Sequence, residues 1–253
     1  MPVLNVNGHM VHFQELNAPG KDTILMIHGM LGNLSVYYYK IAPLLARNFR
    51  VIMYDLKSHG MSERVPAGYD LGSMAEDTLG IINALQLKKV HLVGYSFGAL
   101  IALRTAIAFP EKIRKLAIIE GPDPYDPEPF ERIDEYSRRS LETYAAGVTD
   151  IFGRKIGERN IERTHRLYEY LFRETTIRYD MRQERDFFTR GGIDRIPHET
   201  LLVYGRRSDC LVDGEILART IRRATLSLYD TDHQLPLRHP TELALELQSF
   251  FIG

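Results

Sequence analysis

Short runs of hydrophobic residues recur along the chain, and amphipathic stretches follow many of them. Residues 23–27, 50–54 and 90–93 are runs of this kind, with apolar side chains at most positions. Such runs are typical of strands that are buried on both faces of a parallel sheet. The repeated strand–helix units therefore predict an α/β protein, in which helices cover both faces of a mostly parallel sheet.

Turn and capping signals set the limits of further elements. Strands at 4–6 and 9–16 flank Asn7-Gly8, a dipeptide that favours a tight hairpin turn. Ser73 and Glu76 have the spacing of a capping box, which predicts a helix from Ser73 to about Leu85. The remaining pattern predicts strands at 115–119, 200–204 and 224–228, and helices at 36–46, 99–106, 214–221 and 240–251.

The sequence Gly94-Tyr95-Ser96-Phe97-Gly98 lies between a predicted strand and a predicted helix. G-x-S-x-G in this context is typical of a nucleophile elbow, a sharp turn that lifts the serine hydroxyl above the edge of the sheet. The same turn places the N–H of Phe97 at a helix N-terminus, where it could stabilise an oxyanion. The alternative is a glycine-flanked turn in which the serine has no chemical role.

A serine nucleophile needs a base, and the base needs a third group that orients it. In elbow proteins the chain order is serine, acid, histidine. Asp209 and His233 fit this order, because each follows a predicted strand, and one helix and one strand fit between them. Asp213 and Glu120 are alternatives for the acid. The other histidines considered as the base are His28, His59, His91, His198 and His239.

The strand–helix alternation is interrupted after Gly121. Prolines at 122, 124, 127 and 129 indicate an extended linker, and residues 130–188 are highly charged, aromatic and helix-like. The sequence therefore predicts an α/β core formed by residues 1–121 and 197–253, with residues 122–196 inserted as a helical lid. Its position in the chain predicts that the lid lies over the carboxyl ends of the strands, where ligands of such sheets bind.

Four motifs occur in a particular order: His28-Gly29, Asp55 with His59-Gly60-Met61-Ser62, the Ser96 elbow, and Asp209 with His233. In this respect the chain resembles the lidded, single-domain serine hydrolases of the α/β-hydrolase fold superfamily. The resemblance extends over essentially the whole chain, although the lid matches only in position and helical character. It implies a mostly parallel, eight-stranded sheet flanked by helices, with a helical lid insertion.

The resemblance also implies roles for individual residues. Ser96 would be the nucleophile, His233 the base and Asp209 the acid, although some relatives place the acid at the position of Glu120. The N–H groups of Met30 and Phe97 would form the oxyanion hole. His28 and His59 would be structural, and neither a cofactor nor a metal is implied.

The function predicted on this basis is hydrolysis of a carboxylic ester or thioester of a small acyl compound, through an acyl-enzyme on Ser96. Three alternatives use the same fold. They are a carbon–carbon bond hydrolase, a lyase of the type found in menaquinone synthesis, and a ligand-binding receptor. The menaquinone-type enzymes typically carry an arginine shortly after the elbow, where this chain has Ala99-Leu100, so that alternative ranks lower.

Composition limits the partners and the compartment. The 253 residues carry a formal net charge of −1, which gives no electrostatic reason to expect nucleic acid or an anionic membrane as a partner. The single cysteine excludes an internal disulfide, and neither a secretory signal nor an apolar run of membrane-spanning length is apparent. We therefore expect a cytoplasmic enzyme, monomeric or homodimeric, that acts on a small acyl substrate.

Overall fold

The structure is a computed structural model, and it describes residues 2–17, 22–124, 131, 134, 135, 138, 139, 158–183 and 192–253. Eight strands form one sheet, as predicted. The strands are β1 (Val3–Val6), β2 (His9–Leu16), β3 (Thr23–Ile27), β4 (Arg50–Tyr54), β5 (Val90–Tyr95), β6 (Ile113–Ile119), β7 (Thr200–Gly205) and β8 (Ala224–Tyr229).

The strands are arranged in the order β1-β2-β4-β3-β5-β6-β7-β8. β1 and β2 form the predicted hairpin, whose turn residues Asn7 and Gly8 both have positive φ angles. β2 pairs antiparallel with β4, and every later pair is parallel. The chain order reverses at β3, which lies between β4 and β5. Ligands of open α/β sheets bind at the carboxyl ends of the strands near such a reversal.

Helices cover both faces of the sheet. They are α1 (Ser35–Tyr38), α2 (Ala42–Leu45), α3 (Leu71–Ala84), α4 (Phe97–Ala108), α5 (Glu158–Glu169), α6 (Ile177–Gln183), α7 (Leu211–Thr220), α8 (Leu235–Arg238) and α9 (Pro240–Ile252). Alternate side chains of β3 belong to two separate cores. Leu25 and Ile27 pack with α3 and α4, whereas Ile24 and Met26 pack with α1, α2 and α9. The uniformly apolar strands therefore result from burial on both faces.

Two predicted helices differ from the observed ones. The helix expected over 36–46 is divided into α1 and α2, because Pro43 has no N–H to donate to the preceding turn. The capping-box prediction was also wrong. α3 begins at Leu71 and its N-cap is Asp70, which accepts the N–H of Ser73 at 2.8 Å. Ser73 therefore lies inside the first turn of the helix.

The described part of the predicted insertion packs against the core. Tyr168, Phe172 and Met181 are buried in the same cluster as α4. The N–H of Thr176 donates to the carbonyl of Pro66, and the carboxylate of Asp180 accepts two N–H groups from the loop between β4 and α3. This loop follows the carboxyl end of β4. The boundaries 122–196 stay a prediction, because residues 125–130, most of 131–157 and 184–191 lie outside the described residues.

Among the residues that the structure describes, no helix has both the length and the apolar character needed to cross a membrane.

Candidate active site

Ser96 occupies a strained turn between β5 and α4. Its φ and ψ angles are 54° and −120°, an unusual conformation for a residue other than glycine. A Cβ at Gly94 would collide with the backbone at Gly98, and one at Gly98 would lie 2.5 Å from the carbonyl oxygen of His28. The N–H of Ser96 also donates to the carbonyl of Ile119 at 2.9 Å. Close backbone packing therefore fixes the serine at the carboxyl end of the sheet.

His233 lies beside this serine. Its Nε2 is 2.9 Å from Oγ of Ser96, which is within hydrogen-bond distance. The imidazole lies on the loop between β8 and α8 and is largely buried. The hydroxyl of Tyr95 donates to the carbonyl oxygen of His233 at 3.0 Å. The elbow strand therefore supplies both the serine and a contact that positions the histidine loop.

Glu120 faces the other nitrogen of the imidazole. Its Oε2 lies 3.4 Å from Nδ1 of His233, and its side chain is fully buried. The N–H of Gly205 donates to Oε1 at 2.5 Å, and the hydroxyl of Ser208 donates to Oε2. Because Glu120 directly follows β6, the sheet positions the carboxylate as firmly as it positions Ser96. The structure thus aligns the serine, the histidine and the glutamate in one row.

Asp209 was expected from the sequence to orient His233, but the carboxylate that the structure places at Nδ1 of His233 is that of Glu120. The side chain of Asp209 is 62% exposed, and Oδ2 lies 3.3 Å from the guanidinium of Arg139. The residue before Asp209 is Ser208, and the turn after β7 directs its side chain towards Glu120. The other alternative, Asp213, is buried in the first turn of α7. Sequence reasoning named Glu120 only as an alternative, although its place directly after a buried strand next to β5 was the available signal.

Both predicted oxyanion-hole donors lie on backbone adjacent to the serine. Phe97 is the first residue of α4, where N–H groups have no acceptor within the helix and the helix dipole favours negative charge. A Cβ at Gly29 would lie 3.0 Å from Cβ of Ser96, so the loop that continues into Met30 passes directly beside this serine. The assignment of these two N–H groups as donors stays a prediction.

His28 and His59 hold the loops around the site. His28 accepts the N–H of Leu56 at Nε2, with 3.0 Å between the atoms, and burial lowers its pKa. His59 accepts the N–H of Leu31 at Nε2 and donates from Nδ1 to the carbonyl of Lys57. Burial and the nearby His28 lower the pKa of His59 to about 3. Both rings are therefore neutral at pH 7, and their nitrogens hold backbone groups.

Asp55 organises the second motif. Its carboxylate accepts the N–H groups of Leu34 and Met61, at 2.8 and 2.9 Å, and contacts Nδ1 of His12 at 2.8 Å. Gly60, with a φ of 54°, lies so close that a Cβ there would overlap this carboxylate. In the motif Asp55 with His59-Gly60-Met61-Ser62, the loop therefore packs around the carboxylate of Asp55.

Cys210 lies close to this row of side chains. Its thiol, a carboxylate oxygen of Glu120 and a ring nitrogen of His233 all lie within 4.8 Å of one another, and all three residues are buried. Within the described part of the chain, this is the one group whose ligand types and spacing would suit a metal ion.

The sequence pattern of the alpha/beta hydrolase fold family matches residues 22–213. The chain belongs to this family. The match covers most of the chain, and the eight-stranded sheet and its flanking helices agree with it. The protein thus has the α/β-hydrolase fold.

Several curated relatives of this chain are named as hydrolases. It is 27% identical over 245 residues to the 2-hydroxymuconate semialdehyde hydrolase of Pseudomonas sp. (strain CF600), covering 87% of this chain and 83% of the relative. It is 38% identical over 96 residues to the AB hydrolase superfamily protein YisY of Bacillus subtilis (strain 168), covering 38% of this chain and 35% of the relative. In the curated relatives that match at 30–38% identity, the matched stretches span 30–48% of the relative's length.

A solved structure supports the fold. The esterase EaEST of Exiguobacterium antarcticum superimposes with a TM-score of 0.78 over 99% of both chains, at 20% sequence identity. At this identity the likeness concerns the fold of this α/β hydrolase and leaves its substrate open.

Proposed function

We propose that this enzyme cleaves a carboxylic ester or thioester of a small acyl compound, through an acyl-enzyme on Ser96. The observation that carries the proposal is the 2.9 Å contact between Ser96 Oγ and His233 Nε2, with Glu120 at the opposite nitrogen. A serine hydroxyl becomes a competent nucleophile when a positioned base can accept its proton.

The geometry supports one tautomer of His233. A carboxylate facing Nδ1 favours the proton on that nitrogen, which leaves the lone pair of Nε2 directed at the serine. When Oγ attacks the carbonyl carbon of the substrate, its proton passes to Nε2. The buried negative charge of Glu120 then stabilises the imidazolium that forms. In this mechanism Glu120 takes the role that the sequence assigned to Asp209.

The oxyanion forms next to the N-terminus of α4. We assign the N–H groups of Met30 and Phe97 as its donors, because both lie on backbone adjacent to Ser96. The protonated His233 gives its proton to the leaving oxygen or sulfur, and the acyl group stays on Oγ. His233 then removes a proton from water, which attacks the acyl-enzyme and releases the carboxylic acid.

Hydrolysis of a carbon–carbon bond is the second candidate. The relative matched over the largest share of this chain among those described above is a 2-hydroxymuconate semialdehyde hydrolase. The same serine and histidine could serve such a reaction, so the test includes the compound in that relative's name.

Intact-mass labelling with a fluorophosphonate tests the nucleophile. We expect one label per chain in the wild type and none in Ser96→Ala. Ser249→Ala, a change at an exposed serine on α9, is the matched control and should label fully. Labelling that persists in Ser96→Ala would refute the assignment of Ser96.

Turnover then separates the two candidates. We expect hydrolysis of p-nitrophenyl esters of short chain length, with a burst equal to the enzyme concentration if deacylation is slow. Ester turnover far below turnover of 2-hydroxymuconate semialdehyde would favour the carbon–carbon hydrolase. Neither activity, despite stoichiometric labelling, would contradict both substrate classes while leaving the nucleophile established.

A further inference from the structure

Three buried side chains come together next to Ser96. They are Glu120, Cys210 and His233, and their ligand atoms lie within 4.8 Å of one another. The ester mechanism uses the carboxylate and the imidazole but assigns nothing to the thiol. The role of a buried thiol within 4.8 Å of the proposed acid and base is therefore a separate question.

We propose that Glu120, Cys210 and His233 form a binding site for a thiophilic divalent cation such as Zn²⁺, and that an ion bound there inactivates the enzyme. The binding is independent of the enzyme's reaction. The inactivation rests on the proposed function, because it requires that His233 serve as the base for Ser96.

The ligand types fit such an ion. Thiolate, imidazole and carboxylate are the three protein ligands of zinc, whereas magnesium and calcium prefer sites built from oxygen alone. Two of the ligand atoms already have a suitable separation. Nitrogen and oxygen ligands at about 2.0–2.1 Å from a tetrahedral zinc ion are about 3.4 Å apart. His233 Nδ1 and Glu120 Oε2 are 3.4 Å apart.

The thiol completes one face of the tetrahedron. Cys210 precedes α7 directly, and its sulfur lies within 4.8 Å of the ligand atoms of Glu120 and His233. Ser208 supports two of the ligands, because its hydroxyl donates to Glu120 and accepts the N–H of Cys210 at 3.1 Å. Supports of this kind orient metal ligands and strengthen binding.

Charge also favours a divalent ion. The ionised Glu120 and Cys210 would place two negative charges in a buried site, and a dipositive ion neutralises them. When the ion binds, the S–H bond of Cys210 breaks, a sulfur–metal bond forms and the proton leaves to solvent. The ion also takes the lone pair of Nδ1.

The inactivation follows from the proton that remains on His233. A neutral imidazole carries one proton, and with Nδ1 bound to the ion this proton must be on Nε2. Nε2 lies 2.9 Å from Ser96 Oγ. In this state it donates to the serine oxygen and cannot accept the serine proton, so the nucleophile is not activated.

Cadmium binding gives a readout that does not depend on activity. Cys210 is the single cysteine of the chain, so an ultraviolet cadmium–thiolate charge-transfer band can arise only from it. We expect the band to reach its plateau at one equivalent of Cd²⁺ in the wild type and to be absent in Cys210→Ala and Cys210→Ser. Ser96→Ala and Asp209→Asn should retain it. The absence of a band in the folded wild type would overturn the site.

Zinc inhibition tests the second half of the proposal. We expect Zn²⁺ to suppress ester turnover of the wild type, with recovery on addition of EDTA and no effect of Mg²⁺. The rate of each variant is compared with its own rate without metal. Cys210→Ser should need a Zn²⁺ concentration at least about tenfold higher than the wild type for half-inhibition. A cadmium band without zinc inhibition would overturn the inactivation alone.

The two proposals fail separately. If the wild type hydrolyses no ester, the cadmium band still decides whether the metal site exists, and fluorophosphonate labelling replaces turnover as the measure of serine activation. Labelling that proceeds at the same rate with and without bound Cd²⁺ would refute inactivation. If Cys210→Ala fails to fold, as judged by circular dichroism, Cys210→Ser provides the comparison.

Discussion

Glu120 Oε2 lies 3.4 Å from His233 Nδ1, at the end of the strand next to the one that carries Ser96. Asp209, on the loop after β7, is mostly exposed and contacts Arg139. The carboxylate that faces the imidazole thus lies at the end of a sheet strand and not on the later loop. Substitutions of the two acidic residues should therefore have different effects on turnover.

Glu120→Gln should lower kcat by about 10³–10⁴-fold, because an amide holds the wrong tautomer of the histidine and cannot stabilise the imidazolium. Asp209→Asn removes an exposed ion pair and should change kcat by less than about threefold. Steady-state ester kinetics on the two variants provide the comparison. A larger loss in Asp209→Asn than in Glu120→Gln would return the role of the acid to Asp209.

Tyr95→Phe should reduce both stability and turnover. The change leaves the carbonyl of His233 without the hydroxyl that it accepts at 3.0 Å, at an expected cost of about 1–3 kcal/mol in the free energy of unfolding. Greater freedom of the histidine loop should lower kcat with little change in KM. Tyr229→Phe, which removes a part-buried bond to Glu246, is the control and should leave kcat unaltered. Equal kcat values for Tyr95→Phe and the wild type would refute this positioning role.

Gly60→Ala and Gly8→Ala separate crowding from backbone strain. Both glycines have positive φ angles, but a Cβ at Gly8 meets nothing within 4 Å, whereas one at Gly60 overlaps the carboxylate of Asp55. Gly8→Ala should therefore cost about 1–2 kcal/mol of stability. Gly60→Ala should cost clearly more, since it also displaces the contacts of a buried carboxylate. Urea denaturation measures both values, and equal losses would show that Asp55 can move aside freely.

His59 should make the protein less stable in acid. Its pKa of about 3 in the folded state lies below the 6.5 of a free imidazole, so the unfolded chain binds more protons between these values. The free energy of unfolding should therefore fall as pH drops through this window, by up to about 1.4 kcal/mol per pH unit. Above pH 6.5 the contribution is fully present.

His59→Gln removes this titration. Its stability should be lower than that of the wild type at pH 7 but should fall less steeply between pH 6 and pH 4. Chemical denaturation at each pH unit gives both slopes, and the contribution of His28 is common to the two proteins. Parallel slopes would show that His59 is already protonated, or released, in the folded state.

Most of the sheet could be predicted from sequence, because its central strands are buried on both faces and form continuous apolar runs. The elbow could be predicted for a local reason, since Gly94 and Gly98 are required by backbone contacts within and next to the motif. The acid could not be settled in the same way. A loop of five residues after β7 can direct either Ser208 or Asp209 inwards, and only the packed turn decides between them.

The two errors in the predicted helix limits also arise where the sequence allows more than one local structure. Asp70 and Ser73 can each cap a helix, and the sequence does not rank them. Pro43 lies in the first turn of α2, where a proline is tolerated. The sequence therefore does not show whether one helix continues through this position or a new helix begins there. The inserted segment is the hardest part to predict, because the surface of the core that it contacts decides which of its apolar side chains are buried.

The proposed nucleophile, one predicted oxyanion donor and the proposed acid all lie within or directly after the single unit β5-α4-β6. The loop after β7 then carries only the supporting Ser208 and the thiol of Cys210. This division has an evolutionary consequence. Replacement of the exposed residues Arg206, Arg207 and Asp209, or of Cys210, leaves Ser96, His233 and Glu120 in place. New substrate preferences, or the loss of metal sensitivity, could therefore arise in this loop while the chemistry is inherited intact.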